Sequence, residues 1–236
     1  GVHHREIRMS HRHFHSELEK LKSSLVAMAG HAEHQVQMAV EALLERDLAK
    51  AQTVIEGDEA IDDLELRIDD IAVALLALQQ PMAKDLRLIT MAMKISNDLE
   101  RVGDHAVNIA EAVNYLVEAP PFPVLPEIEE MTRVANEMLA QSLDAFIRGD
   151  NALARDVVKM DDRVDELHDN NFRILLTHMM EDPRKITAGM DLLLVSGNLE
   201  RIADLATNVS EDVVYLVEGR SIKHHAERRD DRPPAA

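Results

Sequence analysis

The chain has 236 residues, of which 46% are hydrophobic and only 3% aromatic, and it contains no cysteine. A core made mainly of Leu, Ile, Val, Met and Ala favours helices over a large sheet. The 8 glycines and 8 prolines allow few turns between long elements. The lack of cysteine excludes disulfides, thiolate zinc sites and cysteine nucleophiles. The net charge of −18 disfavours nucleic acid and anionic lipid as partners and favours cations or basic proteins.

The sequence lacks the marks of a membrane or secreted protein. Its longest apolar run, from Ile71 to Leu78, is far shorter than the roughly 20 residues that cross a bilayer. No secretory signal pattern opens the chain, so we expect a cytoplasmic protein. Residues 1–8, ahead of Met9, read as a cloning remnant and are left outside the predicted fold.

The first half of the chain carries a helical pattern. Apolar residues recur about every 3.5 residues, which is typical of antiparallel helices that pack as in a coiled coil. Pro81 separates the second predicted helix from the third. The repeating positions of the third helix are Leu88, Ala92, Ile95, Leu99, Val102, Ala106, Ile109, Val113 and Leu116. We therefore predict three long helices before residue 119.

A proline-rich segment divides the chain. Residues 119–126 contain four prolines, which should end the third helix and form a stiff connector. The helical period then resumes over three more helices, with the fifth running from about Asn151 to Met180 and Pro183 marking its end. Residues 223–236 lack an apolar period, so we predict a disordered tail there.

The second half repeats the first. Asn97–Glu118 matches Gly197–Glu218 at a constant shift of 100 residues, with polar residues kept in register. Earlier in each half the shift is 103, because the second copy is three residues shorter at its second turn. Duplication of a three-helix unit explains both matches. The predicted fold is all-α: two tandem three-helix bundles, over residues 9–118 and 127–222.

Each half also carries a stripe of acids on two neighbouring helices. Glu100 and Asp104 lie one turn apart on the third helix, in a stripe that includes Asn97 and Glu111. Antiparallel packing about Pro81 brings this stripe level with acids of the second helix. The first acidic site comprises Asp58, Asp62, Glu100 and Asp104. The second acidic site comprises Asp161, Asp165, Glu200 and Asp204.

Carboxylates held close together must protonate, pair with bases or bind a cation. Their oxygen atoms suit Mg²⁺, Ca²⁺, Mn²⁺ or iron better than a thiophilic metal. The alternative is a solvated acidic face that forms salt bridges with neighbours such as Arg101 and Arg201. For a single helix acid this alternative is the commoner case, but two copies in register favour a metal site.

Two segments resemble the PhoU family. Gln80–Arg87 is similar to the turn that enters the family's third helix, and Asn97–Glu111 is similar to its signature helix. The resemblance covers essentially residues 9–225. It implies two repeated three-helix bundles that bind metal ions (iron in some members; Mg, Mn or Zn are alternatives) at Glu100/Asp104 and Glu200/Asp204, with Asp58/Asp62 and Asp161/Asp165 on the companion helices.

The resemblance also implies a role. Members of the family are negative regulators of phosphate uptake and of the phosphate regulon, acting as adaptors rather than enzymes. The implied partners are the ATPase subunit of the phosphate ABC transporter and the sensor histidine kinase of the regulon. We further expect a homodimer that reaches the membrane only through these partners, and no contact with nucleic acid.

The two acidic sites are not identical in sequence. His168 stands where the first repeat has Glu65, and Gly197 replaces Asn97, so the sites are expected to differ in the ions they hold. His31 and His34 are one helical turn apart, and His34 is predicted to lie roughly level with Asp62 because the chain is expected to reverse near residue 48. Solvated helix histidines are nevertheless commoner than ligands at such positions.

Two other functional classes compete with the adaptor. A carboxylate-bridged metalloenzyme or iron store would pair bundle glutamates with Glu-x-x-His motifs, and this chain has no such motif. A purely structural coiled-coil scaffold would have no need for the duplicated acids. The sequence also lacks a nucleophile elbow and a glycine-rich phosphate loop. A non-enzymatic protein is therefore the preferred interpretation.

Overall fold

The structure, a computed structural model, describes residues 2–79, 83–120, 122 and 126–218. Apart from a single 3₁₀ turn at Pro183–Lys185, all regular structure in these ranges is α-helical, and no strand occurs in them. The helices are α1 (Val2–Glu45), α2 (Leu48–Gln79), α3 (Ala83–Leu116), α4 (Pro126–Arg148), α5 (Asn151–Glu181) and α6 (Ile186–Glu218). The prediction of an all-α fold with six long helices is confirmed.

Some predicted boundaries lie within the residues that the structure describes, and others lie outside them. Helix α1 begins at Val2, so residues 2–8, which we assigned to a remnant, are helical. Residues 121 and 123–125 of the predicted connector and the predicted tail at 223–236 lie outside the described residues. No helix in the described part of the chain combines the length and apolar character that a membrane span requires.

The helices pack as two groups of three. Helices α1, α2 and α3 contact one another, and so do α4, α5 and α6. The two groups meet through α3 against α6 and through α1 against α4. Helices α2 and α5 therefore lie on the outside, and each covers the face of α3 or α6 that carries the acidic stripe.

One buried apolar cluster runs through both groups. The apolar stripes of the helices form it, because each stripe buries its side chains against the stripes of neighbouring helices. The two halves repeat even a minor contact in this core. The hydroxyl of Ser96 lies 3.5 Å from Met28 Sδ, and the hydroxyl of Ser196 lies 3.5 Å from Met131 Sδ. The two repeats are therefore alike even in this buried serine–methionine contact.

The turn between α1 and α2 is fixed by an unusual arginine. Arg46 has a φ of 55°, which is the left-handed region that non-glycine residues seldom adopt. Its Nη2 donates to the carbonyl oxygens of Leu116, Val117 and Ala119 at 2.7–2.8 Å. The Leu116 carbonyl is the last of α3 and also accepts from Ala119 N at 3.3 Å, while Val117 and Ala119 lie just beyond the helix. The guanidinium therefore caps the C-terminal end of α3. Gly149, with a φ of 64°, takes the equivalent position in the second half.

The groups are joined by polar contacts between antiparallel α3 and α6. Lys94 forms an ion pair with the largely buried Asp212. The His105 Nδ1 lies 2.9 Å from Asn198 Oδ1, which also accepts from Asn108 Nδ2 at 3.2 Å. Burial lowers the pKa of His105. These contacts fix how the two repeats, and so the two acidic sites, are held relative to each other.

Candidate metal sites

The first acidic site lies between α2 and α3 at the level that the sequence predicts. Asn97 Nδ2 on α3 donates to Glu65 Oε1 on α2 at 3.4 Å. Two turns further along, the helices approach so closely that a β-carbon on Gly103 would stand 2.9 Å from Ile61 Cδ1 and 3.0 Å from Asp58 Oδ1. The absence of a side chain at Gly103 therefore leaves room for the Asp58 carboxylate.

The carboxylates of this site interact electrostatically. Burial raises the pKa of Glu100 to about 7, assisted by the negative charges of Asp104, Glu65, Asp62 and Asp58. Burial also raises the pKa of Asp58, with further contributions from Asp62 and Asp104. The structure thus brings all four predicted acids together and adds Glu65, whose pKa is raised mainly by burial. Glu65 follows Asp62 by three residues on α2, and the sequence alone did not assign it to the site.

The second acidic site has the same arrangement between α5 and α6. Burial raises the pKa of Asp161 to about 6, with the charges of Asp165 and Asp204 adding to the effect. The pKa of Asp165 is raised by burial and then by Glu200. The pKa of Asp204 is raised by burial, Glu200 and Asp165. All four predicted acids therefore share one electrostatic environment here as well.

A histidine network distinguishes the second site from the first. His168 Nδ1 lies 2.8 Å from the hydroxyl of Ser196, which also accepts from Asn171 Nδ2 at 3.2 Å. The other ring nitrogen, Nε2, lies 3.6 Å from Glu200 Oε2. Ser196 and Asn171 are fully buried and were not singled out from the sequence. A comparison of the two repeats could have found Asn171, because the first repeat has Ile68 at the matching position.

Basic side chains do not neutralise these acids. Within the described ranges, no lysine or arginine lies at ion-pair distance from any of the eight predicted acids. Arg101, the neighbour expected to pair with the first site, is directed to Asp98 instead, with Nη1 3.8 Å from Oδ1. Arg201 lowers the pKa of Asp204, but this effect is smaller than the opposing effects of burial, Glu200 and Asp165.

The donor set suits a hard cation, although the side chains do not form a finished coordination sphere. In the conformations of the structure, no group of three or more His, Asp or Glu side chains among the described residues converges so as to hold a metal ion. The carboxylates and one imidazole are nevertheless the ligand types that Mg²⁺, Mn²⁺, Zn²⁺ and iron accept. Binding would need side-chain rotations on helices that are already in position.

The histidines of α1 lie elsewhere. His31 and His34 are exposed. The neighbouring Gln35 donates to Val54 O at 2.9 Å and lies against Gly57, so this part of α1 is level with residues 54–57 rather than Asp62. The predicted level was about one turn wrong because the chain reverses at Arg46, earlier than the sequence indicated.

Comparison with known proteins identifies relatives over most of the chain. A family model described as the PhoU domain matches it twice, over residues 25–113 and 128–213. A PhoU homolog of Pseudomonas putida, named as a phosphate-specific transport system accessory protein, is 42% identical over 217 residues, covering 92% of this chain and 85% of that protein. The homolog of Aquifex aeolicus is 43% identical and covers 88% and 94%.

Solved structures show the same fold. The crystal structure of PhoU from Pseudomonas aeruginosa superposes with a TM-score of 0.83 at 41% identity, covering 88% of this chain and all of that one. A PhoU from Streptococcus pneumoniae, described as a phosphate transport system regulatory protein, gives 0.82 at 30% identity over 89% of this chain and 99% of that one. These relatives are named accessory or regulatory proteins rather than enzymes, which confirms the non-enzymatic expectation. The chain therefore belongs to the PhoU family.

Proposed function

We propose that this protein regulates a phosphate-specific transport system and represses the associated phosphate-starvation response. The observation that carries the proposal is the family membership, which extends over both repeats and both acidic sites. Relatives of similar length are named as accessory proteins of phosphate-specific transport. The regulation is negative: the protein limits phosphate uptake and keeps the regulon switched off when phosphate is abundant.

The protein acts as a cytoplasmic adaptor with two partners. One is the ATPase subunit of the phosphate ABC transporter, and the other is the sensor histidine kinase of the regulon. Its net charge of −18 favours basic surfaces on both. It reaches the membrane by binding these partners. Phosphate itself is a poor ligand for so acidic a surface, so phosphate status is read from the conformation of the transporter and relayed to the kinase.

Metal ions at the two acidic sites are the second part of the proposal. Asp58, Asp62, Glu100 and Asp104 hold one, and Asp161, Asp165, Glu200 and Asp204 hold the other. The support is the raised pKa of Glu100 and of Asp161, together with the absence of lysine or arginine ion pairs to the acids of either site in the part of the chain that the structure describes. A bound cation offsets the repulsion between carboxylates, so it keeps α2 against α3 and α5 against α6 with the acids ionised.

A homodimer completes the proposal. The bundle exposes large apolar side chains near the start of α6, including Met190 and Leu194, and these offer surface for self-association. Analytical ultracentrifugation across a concentration range tests this part separately. A monomer at all concentrations would remove the dimer without affecting the regulatory role.

The test of the regulatory proposal is genetic. Deleting the gene should switch on a phosphate-regulated reporter in phosphate-rich medium, and the wild-type gene should restore repression. A variant with Glu100→Gln, Asp104→Asn, Glu200→Gln and Asp204→Asn should lose both stoichiometric metal, measured by elemental analysis, and binding to the purified ATPase and kinase. A reporter that stays repressed in the deletion strain would refute the regulatory role. Unchanged metal content and partner binding in the variant would refute only the role of the acids.

A further inference from the structure

We propose that two copies of the chain associate through the outer face of α5 and α6, so that the second repeats form the dimer and the first repeats remain free for other partners. This inference rests on the homodimer part of the proposed function and assigns its interface. The α5–α6 face consists of six exposed apolar residues: Phe172, Leu176, Met180, Ile186, Met190 and Leu194.

Two apolar stripes make up the α5–α6 face. On each helix the three residues are four positions apart, so they follow one side of the helix. Phe172 lies seven residues after Asp165, and Met190 lies fourteen residues before Asp204, so each stripe continues the line of an acid of the second site. The pKa of Asp204 is raised by burial and then by neighbouring acids that include Asp165, so both lines are on the same side of the helix pair. The two stripes therefore lie side by side on the outer surface.

The α5–α6 face is large enough for a dimer. The two helices are in contact beside the stripes, where a β-carbon on Gly189 would stand 2.6 Å from Met179 Sδ, so the stripes form one patch. Its six residues are each 41–77% exposed. At roughly 100 Å² apiece they present about 600 Å² of apolar surface, which is at the upper end for a monomer. A stable interface buries about 800 Å² per partner, which the patch and its polar rim can supply.

Charge favours a second copy as the occupant of this face. Residues 172–194 contain three acids and three bases, so their net charge is zero, whereas the whole chain carries −18. These residues are Glu181, Asp182, Asp191, Arg173, Arg184 and Lys185. Two copies of so acidic a chain repel each other least where the local charge is balanced. A basic partner is attracted instead to the acidic surfaces elsewhere on the molecule.

The first repeat has the same helices without this apolar face. The matched positions are Asp69, Val73, Ala77, Leu86, Thr90 and Lys94. Only Val73 and Leu86 among them are large and apolar. Because the two repeats share one fold, folding does not require large apolar side chains at the other four positions. The face of the second repeat therefore serves association.

Cysteine cross-linking locates the interface, because the chain has no cysteine of its own. In a twofold interface, residues near the axis lie close to the same residues of the second copy. Leu176→Cys and Met190→Cys occupy the middle of the two stripes, and we expect at least one of them to give covalent dimers with a short bismaleimide. Val73→Cys and Thr90→Cys, at the matched exposed positions of the first repeat, should remain monomers on a denaturing gel.

A charged double variant measures how much the face contributes. Leu176→Asp with Met190→Asp should raise the dimer dissociation constant about 100-fold or more in analytical ultracentrifugation, because like charges then face each other. Helicity, measured by circular dichroism, should be unchanged. The matched control, Val73→Asp with Thr90→Asp, should change the dissociation constant no more than about twofold.

The outcomes separate the interface from the dimer itself. A wild-type protein that stays monomeric at all concentrations refutes both. A wild-type dimer that neither cross-links through the cysteine variants of Leu176 and Met190 nor dissociates in the aspartate variant refutes the interface alone. If the aspartate variant stays dimeric and loses binding to the purified ATPase, the face belongs to that partner and the inference is overturned.

Discussion

Glu100→Gln is the substitution for which the structure gives the clearest expectation. In the metal-free protein, burial and four neighbouring carboxylates raise the pKa of Glu100 from 4.5 to about 7. The folded state therefore holds a proton that the unfolded chain has already released between pH 4.5 and 7. The free energy of unfolding falls as pH rises through this window and stays at the lower value above pH 7. Glutamine never ionises, so the Glu100→Gln variant does not lose this free energy of unfolding as pH rises.

The magnitude follows from the pKa displacement. A change from 4.5 to about 7 corresponds to about 3.4 kcal/mol for a fully buried group, at about 1.4 kcal/mol per pH unit. Glu100 is only partly buried, and Asp62 and Asp104 are exposed, so solvent screens the repulsion. We expect Glu100→Gln to stabilise the metal-free protein by about 1 kcal/mol at pH 8 and to have little effect at pH 4.

The assay is urea unfolding followed by helicity, in the presence of a chelator, at pH values from 4 to 8. The matched control is Glu59→Gln, which removes one charge from an exposed position on the same bundle. The control should shift stability by a few tenths of a kcal/mol at most. The reasoning is wrong if Glu100→Gln and wild type have parallel stability curves across the whole pH range. With saturating metal the order should invert, because the variant has lost a ligand.

Three further predictions concern the frame that holds the sites, and urea unfolding measures each. Gly197→Ala meets no atom within 4 Å and should stabilise the protein by about 1 kcal/mol through helix propensity. Gly103→Ala crowds the first acidic site and should give no such gain, so equal effects at the two glycines would contradict the close approach of α2 and α3. Arg46→Ala removes the cap on α3 while keeping the left-handed backbone and should cost about 2 kcal/mol, whereas Arg46→Gly should cost about 1 kcal/mol less. Lys94→Met leaves Asp212 buried without its lysine partner and should cost about 1–3 kcal/mol, and a neutral result would show that the ion pair does not join the repeats.

The features that the sequence predicted correctly are those set by local spacing. The apolar period of about 3.5 residues defined the helices, and the prolines defined their ends. The level of α2 against α3 followed from predicting that the chain reverses about Pro81, and Glu65 of α2 does contact Asn97 of α3. The four acids of each site could be grouped because two antiparallel helices of known register leave little freedom. The resemblance to the PhoU family, confirmed by comparison, rested on the same helix.

The features that the sequence did not predict depend on turn geometry and on side-chain orientation. The reversal at Arg46 set the level of α1 against α2, and a left-handed arginine there has no clear mark in the sequence. Its contact with Leu116 spans 70 residues, so no local pattern could indicate it. Arg101 is directed to Asp98, three residues earlier on the same helix, and the helical period sets the position of a residue but not the rotamer of its side chain.

The two repeats separate what the sequence determined from what only the tertiary structure decided. The sequence alone showed that the repeats arose by duplication and where their helices and acids lie. Helix periodicity and a constant shift of 100 or 103 residues can both be read along the chain. The orientation of His168 was decided only by the tertiary structure. Its ring is fixed by Ser196, which lies on a different helix, and Asn171 donates to the same hydroxyl. The second site differs from the first both in residue types, with His168 in place of Glu65 and Asn171 in place of Ile68, and in the hydrogen bonds that these residues make to Ser196.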